Sequence, residues 1–162
     1  MNTPQTVFEQ LHTAYQPMVM QMCTGFVKGD RDIAADLSQE VFINVWNALP
    51  GFRSESSHKT WIYRITVNTC LQYIRKSKNK TRLPLEHAGT VTETPNTEEE
   101  RASSLMRSIG QLENVDRLII MMVLDELEYE EIARVMGISE NNLRVKIHRI
   151  KLRLKTLMKD GE

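Results

Sequence analysis

Tyr129-Glu130-Glu131-Ile132-Ala133-Arg134-Val135-Met136-Gly137-Ile138-Ser139 reads as a short helix, a tight stop and the start of a second helix. Ile132, Ala133, Val135 and Met136 supply apolar spacing for the first helix. Gly137 tolerates the left-handed conformation that ends a helix, and Ser139 is a good N-cap for the next. Leu143, Ile147, Ile150, Leu154 and Leu157 then recur at alternating steps of four and three, forming one stripe. No acidic residue falls between Asn141 and Lys159. Arg144, Lys146, Arg149, Lys151, Arg153, Lys155 and Lys159 flank the stripe, with His148 among them.

Those features meet the needs of a helix-turn-helix. A small residue lets two helices cross closely, the stripe seats the second helix, and its outer face enters a major groove about 12 Å wide. The competing reading is a plain helical hairpin with a solvated basic face, and the spacing already favours DNA binding over it. The segregation of charge favours the DNA-binding reading, because a merely solvated helix mixes signs.

A chain of 162 residues accommodates one medium domain or two small ones. Sparse Gly and Pro favour helices over turn-rich sheet. The formal net charge of zero conceals a patterned distribution. Arg75, Lys76, Lys78, Lys80 and Arg82 make a second basic run, and Glu113, Asp116, Asp125, Glu126, Glu128, Glu130 and Glu131 crowd the stretch before the basic helix. Local charge therefore suggests a polyanion partner that the average would not. Cys23 and Cys70 stand alone in apolar helical contexts, which favours buried free thiols over a disulfide. No signal-peptide pattern and no run of about 20 apolar residues occurs, so the expected location is cytoplasmic, without membrane insertion.

Working back from the C-terminal motif, the apolar run Leu118-Ile119-Ile120-Met121-Met122-Val123-Leu124 is ambiguous between helix and buried strand. Its methionines and long periodic context favour a helix over 114–127, forming the core beneath the motif. Leu105, Ile109 and Leu112 mark another helix. Residues 77–98, with Pro84, Pro95 and several Thr, lack apolar periodicity and read as a flexible linker. The expected fold is all-α: a helical domain over 1–76, the linker over 77–98, and a helix-turn-helix domain over 99–162.

Three helices are expected in the first domain. One spans 5–27, with Pro17 kinking it. The second spans 31–49, with Ile33, Leu37, Val41, Val45 and Ala48 inward and Ala35, Phe42, Trp46 and Leu49 widening the apolar arc. Its remaining narrow face carries Asp36, Gln39, Glu40, Ile43 and Asn47. That strip suits partner docking, and a solvated face with one stray isoleucine accounts for it as well. The third helix, 59–76, puts Trp61, Arg64, Asn68, Gln72 and Arg75 on its outer side. Arg meets phosphate or guanine there, Asn and Gln suit adenine, and an aromatic plane receives an unstacked base. Trp61 taken alone fits a core anchor at least as well. The polar loop 52–58 precedes this helix. The four histidines and two cysteines show no metal-ligand spacing, and no phosphate loop or nucleophile elbow is present, so neither catalysis, a metal nor a cofactor is expected.

Two separated blocks resemble one family. Asp36-Leu37-Ser38-Gln39-Glu40-Val41-Phe42, Trp46, Phe52-Arg53, Trp61-Ile62-Tyr63-Arg64-Ile65 and Asn68 look like the second conserved region of extracytoplasmic-function sigma factors. Tyr129 to Ala133, Gly137-Ile138-Ser139, Val145-Lys146, Arg149 and Leu152 resemble its fourth region. The resemblance implies a dissociable subunit that directs RNA polymerase core enzyme to promoter DNA and is held, in most members, by an anti-sigma factor. It implies polymerase binding by Asp36, Gln39, Glu40, Ile43 and Asn47, on the clamp helices of the largest subunit. It implies minus-ten DNA binding by Phe52, Arg53, Ser56, Trp61, Arg64, Asn68 and Arg75, and minus-thirty-five recognition by Asn141, Asn142, Arg144, Val145, His148 and Arg149. The chain departs from the family at Glu113 (usually Pro), at Glu126 and Glu128 (usually Gly and Ser), at Asn141-Asn142-Leu143 and at Val145. The competing reading is a stand-alone helix-turn-helix repressor or activator whose first domain binds an effector or dimerises.

Overall fold

The computed structural model describes residues 3–78 and 98–160. Most of the expected linker lies outside the described residues. Among those described, every regular element is a helix: α1 (Pro4–Phe26), α2 (Arg31–Ala48), a 3-10 turn (Leu49–Gly51), α3 (His58–Lys78), α4 (Glu98–Gly110), α5 (Asn114–Leu124), α6 (Tyr129–Met136) and α7 (Glu140–Asp160). The apolar run at 118–124 is therefore helix, which lets Leu118, Ile119, Ile120, Met121 and Met122 all be buried because α5 is packed on several sides.

The N-terminal module is a three-helix packing of α1, α2 and α3. Thr3 opens α1, its hydroxyl accepting from the Thr6 amide at 3.2 Å, and Pro4 fills the first turn where no intrahelical donor is needed. Pro17 sits inside α1, which continues through it on its exposed side. Asp30 caps α2 by accepting from the amides of Asp32 and Ile33, both at 3.1 Å. The buried face of α2 is Ala34, Leu37, Ser38, Val41, Phe42 and Val45. This corrects the expected arc, since Ala35 and Ala48 are exposed and Trp46 retains 44% of its surface. Packing of α2 against α1 and α3 covers a narrower arc than its hydrophobicity suggests, and Trp46 is left at the rim.

Cys23 of α1 and Cys70 of α3 are free and fully buried, as the sequence suggested. Hydrogen bonding to the Cys23 thiol and then burial hold the Cys70 thiol well above its ordinary range, with nearby Arg117 opposing. A thiol so protonated and enclosed is a poor nucleophile. The expected result is that a thiol-exchange reagent labels neither cysteine in the native chain and labels both after denaturation. Rapid native labelling would contradict the packing of α1 on α3.

The C-terminal module is α4 to α7. Gly137 adopts φ 69°, ψ 33°, and the Ile138 amide returns to the Ala133 carbonyl at 3.1 Å, closing α6 as its glycine implied. Ser139 then accepts from the Asn142 amide at 3.1 Å to open α7, whose buried stripe is Leu143, Ile147, Ile150 and Leu154. The departures before Tyr129 acquire a physical reading. Glu126 has φ 62°, the conformation for which glycine is suited, so a side chain there carries strain of about 1–2 kcal/mol. Glu128 is the N-cap of α6 and makes no side-chain capping bond. Replacing Glu128→Ser should therefore raise stability by about 1 kcal/mol, read as a higher melting temperature. An unchanged melting point would show that the Glu128 carboxylate already serves the helix end electrostatically.

The two modules touch. Helix α5 packs on α1 and α6 on α3, and the buried residues of both modules form one continuous core cluster. Sequence reasoning offered no arrangement for them.

Candidate nucleic-acid interface

Three surfaces carry the predicted residues. On α7, the side opposite the buried stripe exposes Asn141, Asn142, Arg144, Val145, His148 and Arg149 together, along with Leu152. Their common exposure follows from the stripe itself, which fixes the rotation of α7 on the module. Val145 keeps 51% of its surface, an apolar contact available to a thymine methyl. The Arg144 guanidinium pairs with Glu140 at 2.8 Å and lies 5.3 Å from the centre of the Tyr129 ring. Lys151 reaches the Tyr129 hydroxyl at 3.4 Å. Tyr129 thus joins the first helix of the motif to the basic face of the second. At the base of the motif, burial raises the Asp116 carboxyl above its ordinary value, Lys146 of α7 opposing and Glu113 adding to the shift.

On α3, Arg64, Asn68, Gln72 and Arg75 are exposed along one side and Trp61 is half-buried. The Trp61 ring meets Phe52 at a tilt of 46°, 4.7 Å between ring centres, and Phe52 also meets His58 at 4.7 Å. The predicted aromatic platform is thus a cluster that pins the loop to the start of α3, with Arg53 exposed and Ser56 half-buried beside it. The sequence grouped Phe52 with Trp61 for minus-ten DNA but gave no contact between them. Arg64 donates to the carbonyl of Arg134, in α6, at 3.2 Å.

On α2, Asp36, Gln39, Ile43 and Asn47 face solvent, Ile43 at 55% of its surface. Glu40 is half-buried, with the Lys76 ammonium 3.9 Å away. The strip continues into an open groove of about 1050 Å3 between α1 and α2, lined by Phe8, His12, Met20, Phe42, Ile43 and Trp46. Phe8 meets Trp46 edge-on at 5.4 Å, and His12 lies 4.5 Å from Phe42. Sequence reasoning did not identify this groove; Phe8 and His12, four residues apart and so on one flank of α1, were a signal for it.

Among the described residues no group of three or more His, Cys, Asp or Glu is placed to hold a metal ion, and no helix is long and apolar enough to cross a membrane.

This assembly, an exposed acid-and-amide strip with one exposed isoleucine on one helical module and a basic helix-turn-helix on another, points to the class of DNA-directed proteins. Comparison with known proteins narrows the class. Residues 11–80 match the Sigma-70 region 2 family and residues 102–154 match Sigma-70 region 4. The ECF RNA polymerase sigma-E factor of Escherichia coli (strain K12) is 32% identical over 161 residues, covering 90% of this chain and 83% of that protein. RNA polymerase sigma factor YlaC of Bacillus subtilis (strain 168) is 28% identical over 135 residues, 78% of each chain. The fold is shared with CnrH, solved in complex with the cytosolic domain of CnrY, at a TM-score of 0.73 and 21% identity over 98% of this chain and 91% of that one. It is also shared with the sigma factor RpoE solved with the anti-sigma factor NepR from Bartonella quintana, at 0.72 and 18% identity over 94% and 96%. The chain belongs to the extracytoplasmic-function RNA polymerase sigma factors. It directs RNA polymerase core enzyme to specific promoters and initiates transcription, and the stand-alone repressor reading is not favoured.

Proposed function

We propose that the three surfaces divide that work. Asp36, Gln39, Glu40, Ile43 and Asn47 dock on the clamp helices of the largest polymerase subunit. Their carboxylates and amides set register, and Ile43 supplies the apolar anchor that such interfaces concentrate near their centres. Phe52, Arg53, Ser56, Trp61, Arg64, Asn68 and Arg75 hold the opened minus-ten strand. Melting a few base pairs at about 1.4 kcal/mol per step is offset in part by stacking, at about 1–3 kcal/mol per base. Asn141, Asn142, Arg144, Val145, His148 and Arg149 read the minus-thirty-five duplex through its major groove. The chain performs no covalent chemistry, and works in the cytoplasm where polymerase resides.

The observation that most strongly supports this reading is the joint exposure of the α7 residues on a face bounded by no acidic side chain between 141 and 159. A protein of the same fold, RpoE, was solved with the anti-sigma factor NepR, and CnrH with the cytosolic domain of CnrY, which supports an anti-sigma factor as a further partner of this chain. The test is transcription in vitro with purified core polymerase on genomic fragments, followed by start-site mapping. Initiation at discrete sites sharing two upstream elements supports the division; core polymerase that starts at the same sites with and without the chain excludes it.

A further inference from the structure

Arg144 is held from two sides, and its two partners come from different helices of the motif. Its guanidinium pairs with Glu140, one turn earlier on α7, at 2.8 Å, and lies 5.3 Å from the centre of the Tyr129 ring. Tyr129 is the first residue of α6, half-buried and packed against the core. Its hydroxyl accepts from the Lys151 ammonium at 3.4 Å. Arg144 and Lys151 are seven residues apart, so they share one side of α7 at a separation of about 10.5 Å along its axis, at 1.5 Å per residue. One aromatic side chain of α6 therefore spans two turns of α7, its ring against one cation and its hydroxyl on the other.

This arrangement acts on orientation. An exposed arginine samples many rotamers, and a bidentate contact with guanine needs the guanidinium plane in one of them. An aromatic ring and a carboxylate that hold the plane before DNA arrives reduce the ordering left to be done on binding. The Glu140 pair is made through one terminal nitrogen, Nη2, of a fork that carries five donors. Lys151 is a compact charge without such a plane, and it suits phosphate. The Tyr129 hydroxyl sets where along the helix that charge stands.

We propose that Tyr129 is a positioning residue for duplex recognition: its ring orients Arg144 toward a base edge, and its hydroxyl places Lys151 for the phosphate backbone two turns along. The inference rests on the assignment of Arg144 to base reading and adds a residue from the first helix of the motif, one that acts through α7. The competing role is packing alone, since Tyr129 also covers the core. A packing residue moves stability and weakens every promoter alike, whereas an orienting residue moves preference at a single position.

The test is transcription by core polymerase with the full chain, on a mapped promoter and its single-position minus-thirty-five variants, with melting temperatures measured alongside. Tyr129→Leu keeps apolar bulk and removes the ring. It should relax preference by about 2- to 5-fold, the range of an exposed contact between a cation and a ring, at the position that Arg144→Ala relaxes and at no other. Tyr129→Met serves if Tyr129→Leu fails to fold. In an Arg144→Ala background the same substitution should add no further loss of preference. Tyr129→Phe should keep the preference and weaken all sequences by one common factor, as Lys151→Met does with a salt slope lower by about 1. A Tyr129→Leu chain that keeps full preference at that position, or weakens every sequence alike with none relaxed, overturns the inference. So does a Tyr129→Phe chain that relaxes the position as far as Tyr129→Leu, or a loss of preference that persists without Arg144. If Arg144→Ala itself relaxes no position, the base-reading assignment falls and takes the inference with it, so the Arg144→Ala panel tells the two failures apart.

Discussion

Ile43→Arg should abolish association with core polymerase and leave the fold intact. Ile43 is 55% exposed and lies outside the buried face of α2, so its replacement removes no core packing. Exposed substitutions of this kind change stability by about 0.5 kcal/mol or less. The interface is affected quite differently, since a charge inserted at an apolar anchor must be desolvated without a partner, which costs several kcal/mol. At about 1.4 kcal/mol per tenfold, two or more decades of affinity are lost. Gln39→Arg should act in the same direction, because Gln39 shares the strip and the rim of the α1–α2 groove. Copurification with polymerase checks both, alongside thermal melting. Normal copurification by a chain that melts like its parent would move the docking surface elsewhere.

The second large effect belongs to α7. Reversing Arg144→Glu and Arg149→Glu should remove promoter-directed transcription, by roughly 100-fold, if each arginine contributes a base contact of about 1–3 kcal/mol. The pair that Arg144 makes with Glu140 does not prevent its use. Both side chains are substantially exposed, at 58% and 44%, and such i,i+4 pairs contribute only about 0.3–0.5 kcal/mol. A guanine or a phosphate outbids it. Arg144→Ala separates the two: a base contact relaxes preference at a single position, whereas a phosphate contact weakens all sequences alike and lowers the salt slope by about 1. Transcription from a panel of single-position promoter variants reads that difference. Wild-type activity in the double reversal would overturn the assignment of the outer face of α7.

Much of this was legible along the chain because it is encoded locally. Gly137 and Ser139 specify a turn through backbone freedom and a capping hydroxyl, and both act over a few residues. The Leu143 to Leu154 stripe fixes which side of α7 faces out, so the exposure of Arg144, Val145 and Arg149 followed without knowing what the stripe packs against. The two motif blocks carried the family for the same reason. Where the reading failed, the deciding quantity was a neighbour distant in sequence. Ala35 and Ala48 are as apolar as Ala34, and only the placement of α1 and α3 leaves the first two in water and buries the third.

The sequence by itself determined an all-helical chain with a helix-turn-helix, the rotation of α7 about its own axis and the exposed face that follows, because apolar periodicity and caps act within one element. Only the tertiary structure decided that Phe52, His58 and Trp61 form one cluster, that α1 and α2 enclose a groove, and that Arg117 leaves its own module to cap α1. A single arginine ahead of an apolar run has the same local signature whether it is solvated or buried. The carbonyl that makes its burial tolerable lies 91 residues away, and no periodicity reports it.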